Sequence, residues 1–149
     1  MDEMQATAHL QQDMRFEIAT SSAQSVTVDM FDEPAIGTTR TSFSPMELLL
    51  VALAGCTGIS VLSILRKRRQ EVTGYELQVA GIRAQQHPKV FTDITIQLTF
   101  TGNALEVKWI ERAIELSEKQ YCGVEAMLSK TATISHAYDI VENRRGHYS

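Results

Sequence analysis

The stretch Ser44-Pro45-Met46-Glu47-Leu48-Leu49-Leu50-Val51-Ala52-Leu53-Ala54-Gly55-Cys56-Thr57 decides how the rest of the chain is read. Ser44 suits a helix N-cap, Pro45 suits the first helical position, and Glu47 falls where its carboxylate completes a capping box. A helix is therefore expected from Pro45 to about Arg69, roughly 25 residues, with the cations Arg66-Lys67-Arg68-Arg69 in its last turn, where the dipole favours them. Its first half is apolar on nearly every face. That pattern implies burial all round, and Ala52, Ala54, Gly55 and Gly58 leave room for another backbone to approach.

Working outward, Phe16 and Ile18, then Val26 and Val28, alternate with polar residues around Thr20-Ser21-Ser22-Ala23-Gln24-Ser25, a β-hairpin signal. Residues 1–12 read as a loose N-terminal arm or a first edge strand, and Phe31 to Phe43, with Pro34 and Gly37, reads as a loop. Beyond the helix, Tyr75–Ile82 and Phe91–Phe100 alternate as two antiparallel strands with one buried face. An amphipathic helix follows from Leu105 to Gln120, then a break at Tyr121-Cys122-Gly123, a short helix Val124–Leu128, and a last strand Thr131–His136. Residues 142–149 form a charged tail expected to fray. The order β-β-α-β-β-α-α-β describes one α+β domain over residues 1–149.

Composition narrows the functional classes. With 149 residues, 44% apolar and 21% charged, this is an ordinary globular composition for one domain. A net charge of −4 gives no reason to expect nucleic acid or an anionic membrane as partner. The start Met1-Asp2-Glu3-Met4-Gln5 has no secretory pattern. The apolar stretch Met46–Leu65 is long enough for a membrane span, but Glu47, Thr57, Ser60 and Ser63 interrupt it. The expected compartment is the reducing cytoplasm, where two cysteines are more often catalytic than stapled. With no further cysteine and no histidine cluster, a closed zinc site is poorly supported.

The chemistry rests on Cys56 and Cys122. Mid-helix, Cys56 gains nothing from the helix dipole, so a reactive Cys56 must borrow a cation; the alternative is a small buried hydrophobe. Cys122 stands at the start of a short helix, whose N–H groups would by themselves make it the more acidic thiol. Glu125 falls on the same helical face as Cys122 or is a solvated charge. His136 reads as a hydrogen-bonded structural residue, and Tyr121, Met127 and Leu128 line an apolar mouth or pack in the core.

Three segments together resemble the OsmC/Ohr family of thiol peroxidases, and its OsmC-like branch in particular. They are Ser44 to Thr57, Val61-Leu62-Ser63-Ile64-Leu65-Arg66-Lys67, and Ser117-Glu118-Lys119-Gln120-Tyr121-Cys122 with the closing Ile134-Ser135-His136, the two cysteines being 66 residues apart. The likeness runs from about Asp13 to Val141. It implies an OsmC-like α+β fold and an intertwined homodimer, two central long helices flanked by antiparallel β-sheets, with active sites at the subunit interface. It also implies that Cys56 attacks the peroxide bond of an organic hydroperoxide and that the resulting sulfenic acid condenses with Cys122. No metal or organic cofactor is then needed; an external dithiol reductant, of lipoyl or thioredoxin type, resets the pair.

By the same resemblance an arginine activates Cys56, with Arg15 the first choice and Arg40 the second. The family's glutamate after the helix-starting proline is replaced here by Met46. Glu47 is the nearest acid, but one residue turns a helix by about 100°, and the capping box already gives Glu47 a structural task. Positions 46 and 47 lie about 13–15 Å along the helix from Cys56, so any contact would have to come from the dimer partner. If Met46 removes efficient peroxide chemistry, the alternative is a redox-responsive protein that binds a small apolar ligand.

Overall fold

The computed structural model describes residues 3–30 and 42–143, and the chain divides into two compact units, Met1–Leu49 and Leu50–Ser149. Arg40 and residues 144–149 lie outside the described residues.

The first unit is a three-stranded antiparallel meander, β1 (Ala6–Gln12), β2 (Arg15–Thr20) and β3 (Ser25–Val28), in that spatial order. Phe16 pairs with Val28 and Ile18 with Val26, the hairpin that the alternation implied. Of the two readings for the N-terminal residues, the first edge strand holds rather than the loose arm: residues 6–12 ladder against β2 from Ala6↔Thr20 to Gln12↔Arg15. Every β1 side chain is exposed, so the strand is held by backbone pairing and carries no apolar alternation in its sequence. The cap of the following helix closes as its residues imply. Ser44 N–H and Oγ both donate to Glu47 Oε1, at 2.8 and 3.0 Å, and Glu47 N–H donates back to Ser44 Oγ at 3.3 Å.

Helix α1 runs Pro45–Lys67 and ends where Arg69 turns to φ 58°, with Gln70 N–H returning to the Leu65 carbonyl at 2.9 Å. Burial all round is not what the chain itself provides. The buried residues of α1 are Leu53, Thr57, Val61 and Leu65, one narrow stripe at steps of four, while Val51 and Ile59 stand 53% and 74% exposed. By length and composition this helix could cross a membrane, although only 22% of its most apolar window is buried within the chain.

The second unit carries the larger core. Strands β4 (Glu71–Arg83) and β5 (Phe91–Asn103) pair antiparallel, Leu77 opposite Leu98, and β6 (Thr133–Glu142) lies on the far side of β5. β5 and β6 run parallel, Ile94↔Ile134 and Ile96↔His136, so this sheet is mixed rather than antiparallel throughout. Parallel neighbours need a crossover, and α2 (Val107–Leu116) and α3 (Gly123–Leu128) lie in it. The middle strand is the most buried: Ile94, Ile96, Leu98 and Phe100 are at most 1% exposed.

Helix α1 approaches β4 at Gly58 and Leu50. A Cβ at Gly58 would stand 3.5 Å from Leu77 Cδ1, and one at Gly81 would meet Leu50 Cδ2 at 3.3 Å. Gln70 closes the start of α2, accepting from Glu106 N–H at 2.9 Å and donating to its carboxylate at 3.2 Å. Tyr138 of β6 donates to Glu111 of α2 at 2.7 Å. Gly102, opposite Val72, has no room for a side chain, because a Cβ there would collide with the Glu71 carbonyl and press on Leu105. Since the obstacle is backbone, Gly102→Ala is expected to lower unfolding free energy by about 1–3 kcal/mol in a urea titration; an unchanged midpoint would mean that the strand ends yield freely.

Candidate functional site

The two cysteines are delivered by different local devices. Cys56 sits on α1, half-buried, immediately before Thr57 of the packed stripe, which is 1% exposed. Cys122 is delivered by a π-helical turn, Ser117–Tyr121, in which its N–H bonds the Ser117 carbonyl at 2.8 Å, five residues back. That extra residue per turn breaks the register of the long helix expected over Leu105–Gln120; such turns recur at functional sites. The backbone then extends at Cys122, φ −92° and ψ 100°, and Cys122 becomes the N-cap of α3, its Sγ accepting from Glu125 N–H at 3.3 Å.

Folding brings the two thiols together. Cys122 Sγ lies 3.6 Å from Thr57 Oγ1 and within hydrogen-bonding reach of the Cys56 thiol, and both cysteines are free. The acidic Cys122 that the helix start by itself would give is not what its surroundings produce. Burial pushes the Cys122 thiol up, and hydrogen bonding with Cys56 pushes it further. The Glu125 N–H and the Thr57 hydroxyl pull it down, but by less. At 2% exposure the loss of water dominates the backbone donor that the sequence made visible.

The other expected site residues fall elsewhere. Arg15 is half-buried on β2 and Glu47 is on the first turn of α1, both in the first unit; Cys56 and Cys122 are in the second. Glu125 is not a solvated charge: it is 1% exposed, and His136 Nε2 of β6 stands 2.8 Å from its Oε2. His136 is held above its ordinary value chiefly by the Glu125 carboxylate, against the opposing effect of burial. Thr57 and Glu118 are the residues that sequence reasoning did not select. Thr57 had one legible signal, its place at a step of four from Leu53 and Val61.

A cavity of about 490 Å³ lies along the second half of α1, with Ile59, Ser60, Ile64 and Tyr121 in its wall and Lys67 and Arg68 toward the end of the helix; neither cysteine lines it. Arg68 also stacks over Trp109 at 4.4 Å, so the basic run is in part anchored rather than wholly solvated. Tyr121 and Met127 are 60% and 76% exposed, which excludes core packing for both.

A mixed α+β chain with a long apolar helix presenting one cysteine, and a second cysteine at a helix cap against it, defines a two-thiol protein of the OsmC type. The chain belongs to that family: residues 37–137 match the family model described as OsmC-like protein. It is similar to Protein YhfA of Escherichia coli K12, 41% identical over 98 residues, which cover 66% of this chain and 73% of that relative. A hypothetical protein from Aquifex aeolicus VF5 superposes with TM-score 0.83 at 28% identity, covering 97% of this chain and 100% of that one. The organic hydroperoxide resistance protein OhrB of Bacillus subtilis has the same fold, with TM-score 0.61 at 15% identity over 92% of this chain and 98% of that one.

The raised Cys122 thiol fixes a sign. A thiol whose folded value lies above its unfolded one stays protonated through neutral pH. The stability it contributes is complete below the unfolded value and is lost as pH rises through the folded one. In reduced protein at pH 7, iodoacetamide is expected to label half-exposed Cys56 first. Cys122 labelling should rise only above the ordinary thiol range, and Thr57→Val should move that midpoint higher still by removing a donor. Peptide mass spectrometry across pH reads both; labelling of Cys122 before Cys56 below pH 8 would contradict the assignment.

Proposed function

We propose that the protein is a thiol-dependent peroxidase that reduces organic hydroperoxides, with Cys56 as the peroxidatic and Cys122 as the resolving cysteine. The observation that carries the reading is the juxtaposition of two free thiols, one half-exposed and the other buried and protonated. Family membership supports a peroxide-related redox role.

In this reading the Cys56 thiolate attacks the outer oxygen of ROOH, the O–O bond breaks, and RO⁻ takes a proton to leave as ROH. Cys56 is then a sulfenic acid. Cys122 attacks its sulfur, and the thiol proton leaves with the displaced hydroxide as water, forming the Cys56–Cys122 disulfide. A protonated Cys122 suits this role, since it does not repel a Cys56 thiolate and holds the proton that the leaving hydroxide needs. Arg15 is assigned to the Cys56 thiolate as its cation, and Glu47 to the start of α1 that presents Cys56. An external dithiol, of lipoyl or thioredoxin type, reduces the disulfide, and no metal or organic cofactor takes part in the cycle.

The working form is proposed to be a cytoplasmic homodimer. A 23-residue helix of mean hydropathy 2.4 with a single buried stripe leaves an apolar surface that a second copy covers. Light scattering after size exclusion should give twice 16.6 kDa. Val51→Glu, which puts a charge on that surface, should shift the protein to monomer or precipitate.

Met46 favours a second reading, a redox-responsive binder of a small apolar ligand with little turnover. Free-thiol loss after mixing reduced protein with cumene hydroperoxide, or separately with hydrogen peroxide, decides between them. The peroxidase reading expects fast loss of two thiols per chain with the organic peroxide and none with Cys56→Ser. Cys122→Ser should lose one thiol and hold a dimedone-reactive sulfenic acid. Loss no faster than that of free cysteine would overturn the peroxidase and leave the binder.

A further inference from the structure

Beside the thiols, and separate from them, three side chains converge whose grouping the peroxidase cycle does not use. Glu118 on the π-helical turn, Glu125 in the first turn of α3 and His136 on β6 each present one ligand atom, all within 4.8 Å of one another. Glu125 is 1% exposed, and its Oε1 has no hydrogen-bond or ion-pair partner among the described residues. His136 Nε2 is 2.8 Å from Oε2 and forms an ion pair with it when protonated, whereas Oε1 stays buried without one.

A deeply buried carboxylate with unused lone pairs is costly unless a positive charge meets it. A protonated His136 supplies at most one charge against two carboxylates. Of the cations nearest in sequence, Arg112 and Lys119 are both engaged with Glu115 on α2, and Lys130 is exposed beyond the end of α3. A divalent cation with a neutral imidazole would balance Glu118 and Glu125 together and use the Nε2 lone pair.

We propose that Glu118, Glu125 and His136 form a binding site for a divalent first-row transition ion of the zinc, cobalt or manganese class. One imidazole nitrogen with two carboxylates, and no thiolate, suits these ions better than calcium or magnesium, which prefer all-oxygen sites, or cuprous copper, which prefers sulfur. Metal–ligand bonds of about 2.0–2.2 Å set ligand atoms roughly 3–3.5 Å apart. The Glu125–His136 pair is already near that spacing, and the exposed Glu118 side chain closes the remainder by rotation. Two of the ligands are fixed by a strand and a helical turn packed in the core, so the site is largely preformed. Three protein ligands leave coordination positions for water. The ion would tie the π-helical turn, α3 and β6 into one unit around Cys122 without ligating its sulfur, which already accepts from Glu125 N–H.

The test uses the full chain carrying Cys56→Ser and Cys122→Ser, so that thiols take up no metal, titrated with Zn²⁺ against a chromophoric chelator. One equivalent of Zn²⁺ is expected to bind and to raise the melting temperature. Glu118→Ala, at an exposed position that leaves the core intact, should weaken binding at least about tenfold, and His136→Gln should abolish it. Should His136→Gln fail to fold, Co²⁺ added to the reduced wild-type chain gives an independent reading: visible d–d absorption without a thiolate-to-cobalt band is expected. Absence of stoichiometric uptake, uptake indifferent to Glu118→Ala, or a thiolate band in the cobalt spectrum would each overturn the site and leave Glu125–His136 as a buried ion pair.

Discussion

The packing of one narrow stripe of α1, Leu53, Thr57, Val61 and Leu65, is the constraint on which the rest of the second unit depends. Three of these residues are wholly buried hydrophobes, and each fully buried leucine or valine contributes about 1.5–3 kcal/mol relative to exposure. The fourth, Thr57, interrupts the stripe with a hydroxyl, and that hydroxyl faces Cys122 Sγ. That contact therefore also sets the height and rotation of Cys56, one residue earlier, against Cys122. A helix displaced by one residue would turn by about 100° and take Cys56 away from Cys122.

The crossover between β5 and β6 imposes the matching condition from the other side. Parallel pairing obliges the chain to return along the sheet, and the return is made by α2, a π-helical turn and α3. The π-helical turn changes the helical register at Ser117–Tyr121, so that Cys122 emerges extended and caps α3. An uninterrupted helix would have left position 122 with helical backbone and no cap to make. Backbone geometry and thiol placement are here one event.

Electrostatics at the site follow from burial more than from local dipoles. Cys122 has the backbone donor that its position at a helix start promised, but water has been removed from around it and a second sulfur stands beside it. The same removal of water makes the Glu125 carboxylate dependent on His136 and on whatever further positive charge the group of three can hold. The long-range pairing of residue 125 with residue 136 was invisible in the chain, because a helix position and a strand position meet only through the crossover.

The sequence by itself determined the elements whose signals are local. The capping box Ser44–Glu47, the extent of α1, the alternating strands β2 to β5 and the break before Cys122 are all encoded within a few residues of where they act. The resemblance carried by the Gly-Cys helix and the later Tyr-Cys identified the family from the same kind of local pattern. Tertiary structure alone decided what depends on distant neighbours: that β1 is a strand though its side chains bury nothing, that β6 runs parallel to β5, that only one stripe of an apolar helix is buried by its own chain, and that burial raises the Cys122 thiol above its ordinary value. Periodicity reports which faces are apolar but not what covers them, and a thiol's acidity is set by the water and charges around it, which only the folded chain places.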